Sequence, residues 1–126
     1  MIKRIALTMF LAFSASSSAL DGTDRREISD YVNQANNTLP RRIDSTSVMT
    51  STFFQDDTWY MNVTVTLKGR VIDTAWEKLI RDFHNRNYCK PPRFGLDQGL
   101  TIVTQYFDEN GTFLLAAKTK DTSCDS

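Results

Sequence analysis

The only histidine of the chain, His84, is the first candidate for general acid–base chemistry. It lies in a predicted helix beside an apolar stripe, and neither a Gly-x-Ser-x-Gly sequence nor a cysteine–histidine nucleophile signature accompanies it. A histidine at the surface or boundary of a helix is the stronger expectation. Asp56 and Asp57 could act as a carboxylate pair, but they fall in a predicted turn, where aspartate is favoured for local hydrogen bonding. No catalytic residue is therefore predicted.

Oxygen ligands that could bind calcium are concentrated in Asp108-Glu109-Asn110-Gly111. This segment is much shorter than an EF-hand loop, and Asn110-Gly111 is a pair that favours a tight β-hairpin turn. Two cysteines without clustered histidines do not make an ordinary zinc site. The sequence predicts a structural turn here, and no metal or cofactor.

The two cysteines, Cys89 and Cys124, are predicted to form one disulfide if the chain is exported. Closing a loop of about 36 residues would stabilise the fold by roughly 3.5 to 4 kcal/mol in the chain-entropy model. A redox role would favour a Cys-x-x-Cys spacing, which the sequence lacks. The bond is therefore predicted to be structural and to tie the second helix to the tail after the last strand.

Residues 1–19 have the three-part layout of a secretory signal peptide. Lys3 and Arg4 precede an apolar run from Ile5 to Phe13, and small residues follow up to Ala19. The run is shorter than the roughly 18 to 20 residues that cross a bilayer, so we predict cleavage after Ala19 and no transmembrane segment. Residues 20–126 are expected to form a single domain in the periplasm or outside the cell.

The charge balance limits the kinds of partner that the domain can bind. Loss of Lys3 and Arg4 with the leader leaves 15 − 2 = 13 basic side chains against 15 acidic ones, a net charge of −2. A protein that binds the phosphate backbone needs a basic face. Nucleic acid is therefore not an expected partner.

Two segments have the apolar spacing of amphipathic helices. The first begins at Thr23 or Asp24 and ends before Pro40. The second begins with the capping-box spacing of Thr74-Ala75-Trp76-Glu77, in which the threonine hydroxyl and the glutamate satisfy free backbone amides. Its apolar stripe is interpreted as core rather than as a ligand site, and consists of Trp76, Leu79, Ile80 and Phe83.

Four segments are predicted as strands, at 45–55, 58–67, 100–107 and 112–120. Apolar and polar side chains alternate in the second strand, which predicts a sheet covered on one side. The element order α-β-β-α-β-β indicates an α+β domain, with one four-stranded antiparallel sheet and two helices packed on one face. The pattern of the third strand does not decide which of its two faces meets the helices.

The chain resembles small exported bacterial α+β proteins that have a single disulfide and no assigned function. The likeness rests on LPRRIDSTSVM after the first helix, then a cysteine, a glycine, TIVTQYFDENGTF and a final cysteine. It covers nearly all of the chain after the leader, and its motifs belong to turns and core. The resemblance implies a periplasmic or secreted domain and transfers no catalytic residue. Secretion pilots and hydrolase inhibitors are further small proteins of this architecture, although fold alone does not decide function.

Binding to a protein partner, not yet identified, is the function that these exclusions leave. Tyr60, Phe53 or Phe54, and Phe107 lie on predicted strands, where an exposed aromatic patch would mark an interaction site. The other interpretation is that a helix or loop covers them. We predict a non-enzymatic interaction protein of the pilot, inhibitor or immunity type, with self-association left open. The alternative is a small exported hydrolase or ligand-binding enzyme that uses His84 in a concave site.

Overall fold

The computed structural model describes residues 20–91 and 95–125. The predicted signal peptide, 1–19, lies outside the described residues. In the described part, no helix combines the length and apolar character needed to cross a membrane. The helices and strands are α1 (Gly22–Asn36), β1 (Arg41–Arg42), β2 (Ser47–Gln55), β3 (Thr58–Val65), α2 (Thr74–Cys89), β4 (Thr101–Asp108) and β5 (Phe113–Thr119). Short 3-10 helices at Leu96–Gln98 and Asp121–Asp125 flank the last two strands.

The predicted four-stranded antiparallel sheet is wrong, although the domain is α+β. The sheet has five strands in the order β1-β2-β3-β4-β5, and its central pair, β3 and β4, is parallel. The other three pairs are antiparallel. The element order α-β-β-α-β-β is also corrected, because β1 precedes the first long strand.

The connection through α2 accounts for the parallel pair. Strands that are adjacent and parallel need a long crossover, and α2 provides it between β3 and β4. The sequence pattern predicted each hairpin separately but contained no signal for the pairing between them. Strand β1 has only two residues, Arg41 and Arg42, which is too short for a period-two pattern.

Both helices begin at an aspartate whose side chain caps a free backbone amide. Asp21 accepts a hydrogen bond from the amide of Asp24 at 2.7 Å, and Asp73 accepts one from the amide of Trp76 at 2.8 Å. Such caps stabilise a helix by about 1 kcal/mol. The cap of α2 is therefore Asp73, one residue before the Thr74 that the capping-box spacing predicted.

The core has two parts on one face of the sheet. Around α1, Val32 packs with Trp59, Met61, Ile102 and neighbouring apolar side chains. Around α2, Trp76 and Ile80 pack against a second group, which consists of Val63, Val65, Tyr106, Leu115 and Ala117. Since alternate residues of a strand share a face, the inward set on β4 is Ile102, Thr104 and Tyr106. Both helices thus cover the same face.

The last strand is fixed to α2 at both its edge and its end. A disulfide joins Cys89, the last residue of α2, to Cys124 in the closing 3-10 helix. The guanidinium of Arg81 donates to the carbonyl oxygen of Ala116 at 2.8 Å, on strand β5. The hydroxyl of Thr119 donates to the side-chain oxygen of Asn85 at 2.7 Å. These contacts hold the C-terminal edge of the sheet in place.

Candidate functional site

A cleft of about 750 Å³ lies between α2 and the loops that precede β2 and follow β3. Its floor is formed by Val63 and Val65 on β3 and by Tyr106 on β4. One wall is α2, and the opposite side is formed by Ile43, Asp44 and Thr46 in the loop before β2 and by Ser47, the first residue of β2. The segment 67–73, which connects β3 to α2, supplies the remaining lining residues: Leu67, Arg70, Val71, Ile72 and Asp73.

Large apolar side chains are exposed around this cleft. Ile43 is 52% exposed, Val71 88%, Leu79 62% and Phe83 48%, and all four line the cleft. Among the described residues, the other large apolar side chains with comparable exposure are Tyr31, Phe53 and Phe113. Concentrated apolar exposure on a soluble domain marks an interaction site more often than scattered exposure does.

The apolar stripe of α2 has two roles. Trp76 and Ile80 are half-buried against the sheet, whereas Leu79 and Phe83 project into the cleft. The interpretation of the whole stripe as core is therefore wrong for half of it. The sequence held one signal that part of the stripe is exposed: the stripe is wider than a contact with the sheet requires. Positions 79 and 83 lie one turn apart on the same side of the helix and account for this extra width.

The loop that contains Ile43 is held by hydrogen bonds within it. The carboxylate of Asp44 accepts from the amide of Thr46 at 2.9 Å and from its hydroxyl at 3.1 Å. These bonds, the backbone one first, lower the pKa of Asp44. Arg42 donates to the carbonyl oxygens of Asp44 and Ser45 at 3.3 and 3.2 Å. The loop thus presents Ile43 on a braced backbone.

The loop that follows β3 is held from the neighbouring hairpin. Glu109, in the turn between β4 and β5, accepts from the amides of Leu67 and Lys68 at 3.1 and 2.9 Å. These backbone hydrogen bonds lower the pKa of Glu109. Asp108, the last residue of β4, accepts from the amides of Asn110 and Thr112 at 2.8 and 2.9 Å. Both carboxylates of the candidate calcium segment therefore bind backbone amides.

A buried polar pair joins Tyr106 of the cleft floor to His84, which lies beneath the floor. Nε2 of His84 is 2.6 Å from the phenol oxygen of Tyr106, and the histidine is only 8% exposed. Its ring stacks parallel to Tyr88 and meets Phe83 edge-on. Burial lowers the pKa of His84 and raises the pKa of Tyr106 to about 12, so both side chains are neutral at pH 7. The expectation of a surface or boundary histidine is corrected.

The residues considered for chemistry, His84, Asp56 and Asp57, lie outside the lining of the cleft. Within the described part of the chain, the side chain of His84 forms one hydrogen bond, to Tyr106. Asp56 and Asp57 form the turn between β2 and β3, and Asp57 makes an ion pair with Arg25 at 2.7 Å. Nowhere in 20–91 or 95–125 do three metal-ligating side chains cluster.

Phe53, Tyr60 and Phe107 lie on the sheet face opposite the helices. Tyr60 pairs with Phe53 across β2 and β3, with ring centroids 4.7 Å apart and nearly parallel planes. Phe107 pairs with Phe113 on β5, and their rings meet edge-to-face at 5.7 Å. The predicted aromatic residues therefore share a face but form two separate pairs, and none of them lines the cleft.

This fold, with two helices on one face of a mixed sheet, is similar to three solved structures of bacterial proteins. A protein from Pseudomonas aeruginosa described as secreted has 11% identity and a TM-score of 0.70, over 79% of this chain and 91% of that one. The type II secretion pilotin EpsS of Vibrio vulnificus has 15% identity and a TM-score of 0.65, over 82% and 97%. The pilotin AspS of Vibrio cholerae has 14% identity and a TM-score of 0.61, over 79% and 91%. At such identities the likeness shows a shared fold.

No protein-family model matches the chain, and no curated protein matches it.

Proposed function

We propose that this protein is an exported, non-enzymatic interaction protein that binds an apolar segment of a protein partner in the cleft beside α2. The observation that carries the proposal is the convergence of Ile43, Val71, Leu79 and Phe83 on one cleft. Burying a leucine-sized side chain contributes about 1.5 to 3 kcal/mol, so occupation of this cleft would be strongly favourable.

The floor of the cleft favours a helical partner segment. Strand β3 pairs with both β2 and β4, and β4 pairs with both β3 and β5, so the floor offers no free strand edge. A chain that enters an apolar cleft must satisfy its backbone groups internally, which a helix does. The α2 residues from Trp76 to Arg86 lining the cleft extend for about 15 Å, or about three helical turns.

Charges lie around the cleft in equal numbers of each sign. Asp44 and Asp73 are exposed lining residues on the loops, and Arg70 and Arg86 are their basic counterparts. Because the four charges sum to zero, apolar contact rather than net electrostatic attraction would supply the affinity. Charge at the rim would select the orientation of the partner segment.

Export is supported by the disulfide between Cys89 and Cys124, since such bonds persist in oxidising compartments. A pilot-type role is the narrower form that the fold favours, because two proteins of the same fold are type II secretion pilotins. Inhibitor and immunity roles would use the same kind of surface.

The test is recovery of the partner from the periplasm by the oxidised domain and by its Leu79→Glu variant. Leu79 is exposed, so the substitution should leave the fold intact while it places a charge in the cleft. We expect the wild-type domain to retain one specific protein and Leu79→Glu to lose it. The matched control, Lys90→Glu, changes an exposed residue just after α2 and should retain it. Equal recovery by all three would contradict the proposal.

A further inference from the structure

The outer face of the sheet, opposite both helices, is almost free of charge. The register of the strands identifies the residues of this outer face, because directly paired residues on neighbouring strands point to the same side of the sheet. From β2 to β5 they are Val48, Ser51, Phe53, Gln55, Thr58, Tyr60, Asn62, Thr64, Thr101, Val103, Gln105, Phe107, Phe113, Ala116 and Lys118. Of these, Lys118 alone is charged, and it lies on an edge strand. Charged residues make up 24% of the whole chain, so the outer face is strongly depleted.

The opposite edge of the same face carries the next charge. Arg42 on β1 pairs with Val48 and therefore points outward. The outer face thus has one cation at each edge and no carboxylate among its positions. Depletion of charge at the centre with charge at the rim is the composition of a protein interface.

We infer that the outer face is a self-association surface on which a second copy of this chain packs sheet against sheet. In a two-fold contact, each residue near the axis faces its own equivalent, so a central charge would repel itself. The centre has none. It has instead the amide of Gln105 and the hydroxyl of Thr64, which both donate and accept hydrogen bonds and can therefore pair with identical groups, whereas the amide of neighbouring Asn62 donates to the hydroxyl of Ser51 at 2.9 Å.

The aromatic pairs give the contact its apolar part. Phe53 stacks on Tyr60 at one end of the face, and Phe107 meets Phe113 at the other. Phe53 and Phe113 are both exposed. Aromatic residues are enriched at protein interfaces because they bury a large area with few rotatable bonds. A two-fold axis through the centre of the face places each aromatic pair of one copy against an aromatic pair of the second copy. Depending on the direction of the axis, that is the equivalent pair or the pair from the opposite end.

The size of the face indicates a weak dimer. Four strands about 4.8 Å apart and about 26 Å long project an area of about 500 Å², or about 1,000 Å² for two copies. This lies at the lower end for a specific interface. We therefore expect a dissociation constant on the order of micromolar, with the cleft on the helical side left free for its own partner.

Sedimentation equilibrium of the exported, oxidised chain from about 1 μM to about 1 mM tests this inference, because that range covers a weak dimer. We expect a monomer–dimer equilibrium that Gln105→Glu weakens at least tenfold, with partial recovery at high salt as repulsion is screened. Thr64→Glu, on the neighbouring strand, should act in the same way and is a second variant if the first folds poorly. Leu79→Glu, in the cleft, should leave the equilibrium unchanged.

A monomer throughout that range would overturn the inference. So would a dimer that neither outer-face variant weakens, since its contact would lie elsewhere. Capture of a neutral glycan or a different protein on the outer face of a monomeric chain would also overturn it. Loss of the dimer in Leu79→Glu would assign self-association to the cleft and would contradict the proposed function as well.

Discussion

Nε2 of His84 lies 2.6 Å from the phenol oxygen of Tyr106, so the single histidine of the chain joins α2 to β4 beneath the floor of the cleft. Nδ1 of the same ring is buried and has no hydrogen-bond partner among the described residues. A protonated ring would carry an N–H at both nitrogens. The neutral ring is therefore the form that this packing accommodates.

The stability of the fold should decrease as pH falls below about 6.5, the pKa of an unperturbed histidine. Burial lowers the pKa of His84 in the folded state, so the unfolded chain binds the proton first and is favoured by acid. The stability that neutral His84 contributes is fully present above the pKa of this histidine in the unfolded chain. It is lost as the pH falls from that value to the lower pKa of the folded state. The midpoint of urea unfolding, measured between pH 7 and pH 5, reports this change.

His84→Gln is the matched control for the pH effect, because glutamine can keep a hydrogen bond to Tyr106 but does not titrate. Asp44 and Asp57 also have lowered pKa values, and so does Glu109, but their stability contributions are lost at pH values below those of histidine titration. The variant should therefore have a flat unfolding midpoint between pH 7 and pH 5. An unchanged slope in the variant would assign the pH effect to other groups.

Thr52→Val is expected to destabilise the domain by about 1 to 3 kcal/mol, because it removes a buried hydrogen-bond partner. The indole Nε1 of Trp59 donates to the hydroxyl of Thr52 at 2.6 Å, and that hydroxyl donates to the carbonyl oxygen of Tyr60 at 2.7 Å. Thr52→Ser keeps the hydroxyl and should cost less. Urea unfolding of the two variants separates this hydrogen bond from packing; equal losses would argue that packing dominates.

Reduction of the Cys89–Cys124 bond is expected to lower the free energy of unfolding by roughly 3.5 to 4 kcal/mol, because the unfolded chain gains loop entropy. The double variant Cys89→Ser, Cys124→Ser should show the same loss without reductant. Hydrogen exchange should report the earliest opening in β5, which the bond fixes to α2. Unfolding curves that coincide with and without reductant would contradict a structural role for the bond.

Binding of the partner at the cleft should depend weakly on salt. The four exposed charges at the rim, Asp44, Asp73, Arg70 and Arg86, cancel in sum. We expect the dissociation constant to change by less than about threefold between low and high salt, since screening acts mainly on unbalanced charge. A dissociation constant that rises tenfold or more would indicate electrostatic recognition instead.

The sequence predicted local structure better than pairing. Both helices and the four long strands follow from apolar periodicity, with ends shifted by a few residues. The parallel pairing of β3 with β4 depends on how the α2 crossover packs, which no local pattern encodes. The sequence also predicted the backbone conformation of the turns incompletely. In the hairpin of β2 and β3, Asp56 and Asp57 both have positive φ. In the hairpin of β4 and β5, Gly111 alone has positive φ.

The candidate site was harder to predict than the fold. Ile43 and Val71 lie in loops, where single apolar residues give no periodic signal, and they join Leu79 and Phe83 only after the chain folds. The aromatic residues Phe53, Tyr60 and Phe107 do lie away from the helices, because strand alternation determines their side once the sheet is known. Their role in binding stays a prediction.

Site-specific photo-crosslinking in the native host tests the central claim most directly. A benzophenone amino acid at Phe83 would lie in the cleft, and one at Phe53 would lie on the outer face of the sheet. The account predicts that Phe83 crosslinks to an apolar helical segment of another protein and that Leu79→Glu abolishes this product. A crosslink to another protein from position 53 with none from position 83 would contradict it.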